Sequence, residues 1–226
     1  MRKMNLFTLS AIVTVVLFAL SGSAQVPECA ETDNQCLVDA YTKKIAADPG
    51  NIENYYSRGR AYRGLNKFDA SIADLTKYIS MKPSTPEYLA DGYMARANTY
   101  TAMKDSVHAI ADFGRAVEIL PTHAEAYYNR ARLYYDDKKY LKAIADLDQY
   151  IALNKSNKEW LADGYENRGV NFLALGKNDE ALRDLTSAIG IDGTVARRFS
   201  TRADIYRKLG KIALAEADEK KAAELK

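Results

Sequence analysis

Two residue types recur along this chain at a spacing that chemistry could use. Arg58, Arg96, Arg130, Arg168 and Arg202 each precede a small residue, and Asp74, Asp112, Asp146, Asp184 and Asp218 follow them at a constant offset. Five arginines facing five aspartates would form either a catalytic array or a ladder of structural ion pairs. The ladder is the expected arrangement, because a charge withdrawn from water has to be paired. Other chemistry-bearing residues are sparse. His108 and His123 have no Cys/His cluster beside them, so they read as surface or capping residues rather than metal ligands. Asp136-Asp137 reads as a turn, where Asp makes local hydrogen bonds. No glycine-rich phosphate loop, Gly-x-Ser-x-Gly elbow or His-Glu-x-x-His motif occurs in the mature chain. No catalytic residue, metal site or cofactor is expected.

The two cysteines, Cys29 and Cys36, need their compartment before their chemistry can be read. Arg2 and Lys3 precede an apolar run, and Gly22-Ser23-Ala24 offers small residues for cleavage before Gln25, the pattern of a secretory leader over 1–24. The run contains Thr8, Ser10 and Thr14. It is shorter than the apolar stretch a membrane-spanning helix needs, so no stable membrane insertion is expected after cleavage. Pro27-Glu28 before Cys29 argues against a lipid anchor. The mature protein is expected to be secreted or periplasmic. An oxidising compartment favours a Cys29–Cys36 disulfide. On one continuous helix the two would lie about 10 Å apart, too far to bridge. The chain must therefore bend, with Thr32-Asp33 capping a helix and 26–32 folded back on it. A zinc site lacks further ligands nearby, and the spacing is wider than Cys-x-x-Cys. Losing the leader removes two cations and no acid, so charges balance and no field attracts nucleic acid.

The elements that position these residues are repeats. Glu53-Asn54-Tyr55-Tyr56-Ser57-Arg58-Gly59-Arg60-Ala61-Tyr62 returns as Glu125-Ala126-Tyr127-Tyr128-Asn129-Arg130-Ala131-Arg132-Leu133-Tyr134. Three more copies centre on Arg96, Arg168 and Arg202. The interval between copies alternates between a longer and a shorter one, both within the period range of helical repeats. Within each copy, apolar residues at three- and four-residue intervals make two helices, with a break such as Leu65-Asn66-Lys67 between them. Small residues hold one slot in the first helix (Gly59, Ala97, Ala131, Gly169, Ala203) and one in the second (Ser71, Ala109, Ala143, Ala181, Ala215), marking where the helices cross. A large ring holds a third slot: Tyr62, Tyr100, Tyr134, Phe172, Tyr206.

This pattern resembles the tetratricopeptide repeat (TPR) family. The resemblance implies an all-α, right-handed α-solenoid of helix-turn-helix repeats, whose concave groove, lined by first helices, binds peptides or partner proteins. The expected units are a capping segment at 25–51 with one helix over 36–47, then repeats at 52–85, 86–123, 124–157, 158–195 and 196–226. Arginine at the Arg58 slot departs from the family's usual apolar residue. Tyr78 and Tyr150 stand where it has alanine. Pro86-Glu87-Tyr88-Leu89-Ala90-Asp91-Gly92-Tyr93 matches Lys158-Glu159-Trp160-Leu161-Ala162-Asp163-Gly164-Tyr165, so units one and two were duplicated as three and four. Each match adds about one turn to a first helix, and Tyr78 and Tyr150 are expected beneath those turns near Leu89 and Leu161. At the C-terminal end, Ala217 and Leu225 form a thin stripe, Leu209 and Ile212 are expected to be partly exposed, and self-association through this end follows as an expectation.

If Tyr55, Gly59 and Tyr62 pack inward, Tyr56, Arg60 and Arg63 occupy a neighbouring face that the resemblance turns toward the concavity. Met94, Asn98 and Thr101 follow in the second unit, and Tyr128, Arg132 and Tyr135 in the third. Rings and guanidinium groups dominate binding energy when shielded from water. The expected ligand is an extended protein segment with acidic or aromatic side chains. Alternatively the residues solvate the inner wall, with Glu53 and Glu125 neutralising the arginines. The expected function is an exported scaffold or adaptor of the cell envelope. The alternatives are a ligand-free structural spacer and a non-catalytic subunit of an envelope enzyme complex.

Overall fold

The computed structural model describes residues 29–30 and 32–225. The leader at 1–24, its cleavage point between Ala24 and Gln25, and residues 26–28 of the expected folded-back arm lie outside the described residues.

Among the described residues eleven helices follow one another: α1 (Asn34–Ala47), α2 (Ile52–Gly64), α3 (Phe68–Ser80), α4 (Pro86–Ala102), α5 (Ser106–Ile119), α6 (Ala124–Asp136), α7 (Tyr140–Leu153), α8 (Lys158–Ala174), α9 (Asn178–Ile191), α10 (Ala196–Lys208) and α11 (Ile212–Glu224). No strand occurs among the described residues. Each helix packs chiefly on the one before and the one after it. The result is an all-α, right-handed solenoid of helix pairs, α2/α3 to α10/α11, with α1 laid against α2.

The crossing slots explain the pairing. All five small residues of the second helices, Ser71, Ala109, Ala143, Ala181 and Ala215, are fully buried. A Cβ at Gly59 would come within 2.9 Å of Leu75, so only a bare backbone lets α2 and α3 approach this closely. The turn inside each pair is equally regular. Asn66, Lys104, Lys138, Gly176 and Gly210 all take positive φ, between 57° and 72°. The following amide donates to the carbonyl of the ring slot, for example Lys67 to Tyr62 at 2.9 Å and Lys139 to Tyr134 at 2.7 Å. This left-handed cap satisfies carbonyls the helix end would otherwise strand.

The duplicated segment makes α4 and α8 17 residues long, against 13 for α2, α6 and α10. Thr85 caps α4 through the Tyr88 amide, and Asn157 caps α8 through the Trp160 amide. Tyr78 and Tyr150 are buried beneath these helices as expected. Gly92 and Gly164 lie directly over the rings. A Cβ at Gly92 would meet the Tyr78 ring at 2.8 Å, so the glycine makes room for it. The Tyr78 hydroxyl donates to the Tyr88 carbonyl at 3.1 Å. Burial pushes the Tyr150 phenol up to about 12, because desolvation disfavours the phenolate.

At the N-terminal end the Asp33 carboxylate accepts from the Cys36 amide at 3.0 Å and starts α1. Cys29 and Cys36 are disulfide-bonded, with Cα atoms 5.7 Å apart. At the other end, α11 buries Ala215, Asp218 and Ala222 against α10. The expected stripe through Ala217 is therefore corrected, since Ala217 faces water and the buried row lies one position on. Leu209, Ile212 and Leu214 are exposed there.

Candidate functional site

The arginine–aspartate series is scaffold. In every unit the arginine Nε and Nη2 donate to both oxygens of the aspartate sixteen residues later, at 2.7–2.8 Å. Each guanidinium also sits within cation–π reach of one or two rings of its own helix, such as Tyr127 at 5.8 Å and Tyr134 at 5.9 Å around Arg130. The third arm reaches back to the preceding second helix. Nη1 of Arg58, Arg96, Arg168 and Arg202 donates to Thr42, Thr76, Asp148 and Thr186. At Arg130 the corresponding residue is Gly114, which offers no acceptor. Hydrogen bonding to the aspartate raises these arginines above their ordinary value, since it favours the charged form. Arginines whose donors are consumed in this way are positioned to hold helices, not to act on a substrate.

The inner wall is different. Four hollows follow one another along the first helices, each sharing residues with the next. The first, about 610 Å³, lies between α1 and α2 and includes Asn34, Tyr41, Arg60 and Arg63. The next, about 250 Å³, is bounded by Tyr56, Arg60, Arg63, Asp91, Met94, Asn98, His123 and Glu125. A third, about 420 Å³, is bounded by Arg63, Asn98, Thr101, Asn129, Arg132 and Asp136. The fourth, about 140 Å³, lies between α6 and α8 and includes Arg132, Tyr135, Asp136, Asn167 and Asn171. Eight of the nine residues singled out from the sequence thus line one continuous groove.

Their roles within it differ. Met94 is buried at the floor. The Thr101 hydroxyl donates to the Ala97 carbonyl of its own helix at 2.9 Å. The Tyr56 ring tilts against Tyr78 at 5.0 Å, and Arg60 lies 5.7 Å from the Tyr56 ring. Tyr128 is the exception. Its ring tilts against Tyr150 at 4.9 Å and its hydroxyl accepts from the Asn167 amide at 3.3 Å. It therefore shapes the wall without lining a hollow.

Arg60, Arg63 and Arg132 form no ion pair among the described residues, with Glu53 and Glu125 or any other acid, although Glu125 lines the same hollow as Arg60 and Arg63. Burial first, then the neighbouring Arg60, holds the Arg63 guanidinium below its ordinary value. A positive charge that is partly desolvated and crowded by another is stabilised by an incoming anion. Asp91, whose carboxylate meets His123 Nε2 at 3.3 Å, is the counter-charge on the opposite lip.

Sequence reasoning did not single out Asp91, Asn129, Asn167 or Asn171, and it left His123 on a turn. Asn171 was accessible in principle, because it is the counterpart of Thr99 in the second copy of the duplicated segment. No cluster of residues able to hold a metal occurs among the described residues. None of their helices is long and apolar enough to cross a membrane.

Two family models, both described as tetratricopeptide repeat, match residues 52–85 and 113–145. Serine/threonine-protein phosphatase 5 of Homo sapiens is 32% identical over 117 residues, 49% of this chain and 23% of that protein. The chain spans about a fifth of the length of the first curated relatives it matches. Among solved structures, MamA superposes with a TM-score of 0.63 at 22% identity, covering 71% of this chain and 90% of that one. YrrB, described as a TPR protein with an unusual peptide-binding site, gives a TM-score of 0.69 at 18% identity over 84% of this chain and 93% of its own. At such identities the likeness concerns the fold.

Proposed function

Because the chain is a tetratricopeptide repeat protein, a family that mediates protein–protein interaction and peptide binding, we propose that it is a non-catalytic scaffold or adaptor. It holds an extended segment of a partner protein in the groove along α2, α4, α6 and α8. One observation carries this reading: Arg60, Arg63 and Arg132, free of ion pairs among the described residues, line adjoining hollows beside Tyr56 and Tyr135. Arginine and tyrosine in partly shielded pockets are the residue types on which binding energy concentrates. The segment accordingly carries acidic or aromatic side chains.

Export is part of the same proposal. The leader-like sequence at 1–24 supports a secreted or periplasmic location, and the Cys29–Cys36 bridge fits an oxidising compartment. The intact mass of protein recovered from the extracytoplasmic fraction tests it, with loss of residues 1–24 as the expected result.

The binding experiment combines in-cell crosslinking with mass spectrometry to identify partners, then measures affinity for wild type and for the Arg60→Ala, Arg132→Ala double variant. Both positions are exposed, so the variant is expected to melt within a few degrees of wild type. A roughly 10- to 100-fold loss of affinity is expected. Unchanged affinity in the folded double variant excludes these arginines as the site.

A further inference from the structure

The hollow of about 610 Å³ between α1 and α2 differs in kind from the three that follow it. Its polar lining among the described residues is Asn34, Tyr41, Ser57, Arg60 and Arg63, with no carboxylate. Each of the other three hollows includes at least one aspartate. Asp91 and Glu125 line the adjoining hollow but not this one. All five polar side chains can donate a hydrogen bond, and none of them makes a side-chain hydrogen bond or an ion pair among the described residues, whereas the neighbouring Arg58 and Lys67 do. None of the five is buried, so each is open to a group entering the hollow. The bare backbone of Gly64 leaves room for the Asn34 amide, which a Cβ there would strike.

Arg60 and Arg63 stand three residues apart on α2, a spacing that makes them neighbours on the helix surface. Burial first, and then Arg60, holds the Arg63 guanidinium below its ordinary value, and a negative charge placed between the two relieves both. Two forks facing one space call for more acceptors than a carboxylate has, because a single guanidinium already takes both of its oxygens. A phosphomonoester brings three acceptor oxygens and close to two negative charges at neutral pH. It can therefore meet both forks and leave lone pairs for hydroxyl and amide donors.

We propose that the hollow between α1 and α2 binds a phosphomonoester group, with Arg60 and Arg63 sharing its oxygens and Ser57, Tyr41 and Asn34 donating around them. This rests on the groove reading above, and narrows the ligand at this end of the groove from any acid to a phosphoryl dianion. A phosphorylated side chain of a partner and a free phosphorylated small molecule present the same group.

The test is calorimetric titration of the mature chain at low salt with phenyl phosphate, with benzoate, which has the same ring and a single charge, and with a short acetylated, amidated alanine peptide carrying one phosphoserine. At about pH 7.5 phenyl phosphate is expected to bind roughly tenfold more tightly than benzoate. At about pH 5.5 the phosphate loses most of its second charge while benzoate keeps its own, so the preference should largely disappear. The ratio of the two ligands cancels any titration of His108 and His123. Arg60→Gln, at an exposed position, and Arg63→Gln should each weaken phenyl phosphate about tenfold and benzoate less. Lys142→Gln, which removes an exposed cation outside the groove, is expected to change neither. Either ranking of the phosphopeptide against phenyl phosphate supports the site: tighter peptide binding assigns the group to a partner's side chain, weaker binding to a small molecule. Equal binding of phenyl phosphate and benzoate, binding of neither, or a preference that persists at the lower pH or in both arginine variants overturns the inference. If that happens while the crosslinked partner still loses affinity in the Arg60→Ala, Arg132→Ala variant, the groove reading stands without it. If the partner ignores that variant and phenyl phosphate ignores Arg60 and Arg63, the two fall together.

Discussion

Arg130 is the one ladder arginine whose third arm finds no side chain on the preceding helix. The other four bridge consecutive units through Thr42, Thr76, Asp148 and Thr186. Gly114 occupies that position on α5, and a Cβ built there would lie 3.5 Å from Arg130 Nη1, an ordinary contact. Gly114→Thr would add a hydroxyl acceptor and replace glycine in a helix interior, where glycine costs about 0.5–1 kcal/mol relative to alanine. Threonine's lower helix propensity takes back part of that gain. A net increase of about 0.5–1 kcal/mol in urea unfolding is expected. If threonine destabilises the protein instead, the repeated back-contact is a geometric coincidence, not a rung.

Between elements, the junction of α8 with α10 is the most heavily charged. Arg198, 1% exposed, donates to Glu166 at 2.8 Å, to Asp192 at 2.7 Å and to Asp163 at 2.6 Å, while Arg197 takes the other Glu166 oxygen. At the equivalent position α4, α6 and α8 carry Gly92, Ala126 and Gly164, so the last unit is fastened by charge where the others close by small size. Such a cluster is weak evidence of added stability while whole, but breaking it leaves buried charge short of partners. Arg198→Met keeps much of the volume and leaves Arg197 as the only cation on the buried Glu166. It is expected to cost about 1–3 kcal/mol, measured as a lowered urea midpoint. A loss under about 1 kcal/mol would show that water reaches Glu166 and compensates.

Across the whole molecule, contacts run almost entirely between neighbouring helices, so stability is close to a sum of unit and interface contributions. Damage at one end should therefore remain there. Opening the Cys29–Cys36 bridge frees a short loop, worth roughly 2–3 kcal/mol in the chain-entropy account. After mild reduction, hydrogen exchange is expected to quicken in α1 and the start of α2 while α9 to α11 keep their protection. Uniform loss of protection along the chain would contradict that independence. The opposite end exposes Leu209, Ile212 and Leu214. We propose that the chain self-associates through it, with sedimentation of the mature chain against concentration as its measure.

The repeats were legible in the residues themselves: helix pairs, crossing slots, the Arg–Asp ladder and the buried Tyr78 and Tyr150 all follow from register, because a helix's period places the same slot on the same face in every copy. The disulfide was legible as a pairing of the two cysteines across a bend. Which member of a slot meets which neighbour was decided in three dimensions. Gly92 closes directly over Tyr78, and Ala217 turns outward, because a one-position rotation of a helix is invisible to a pattern of apolar residues. The groove divides the same way. Its arginines could be placed by periodicity, but their lack of partners, the packing of Tyr128 on Tyr150, and the unpaired oxygen of Asn171 depend on distances between residues of different helices. Only the packed stack sets those distances.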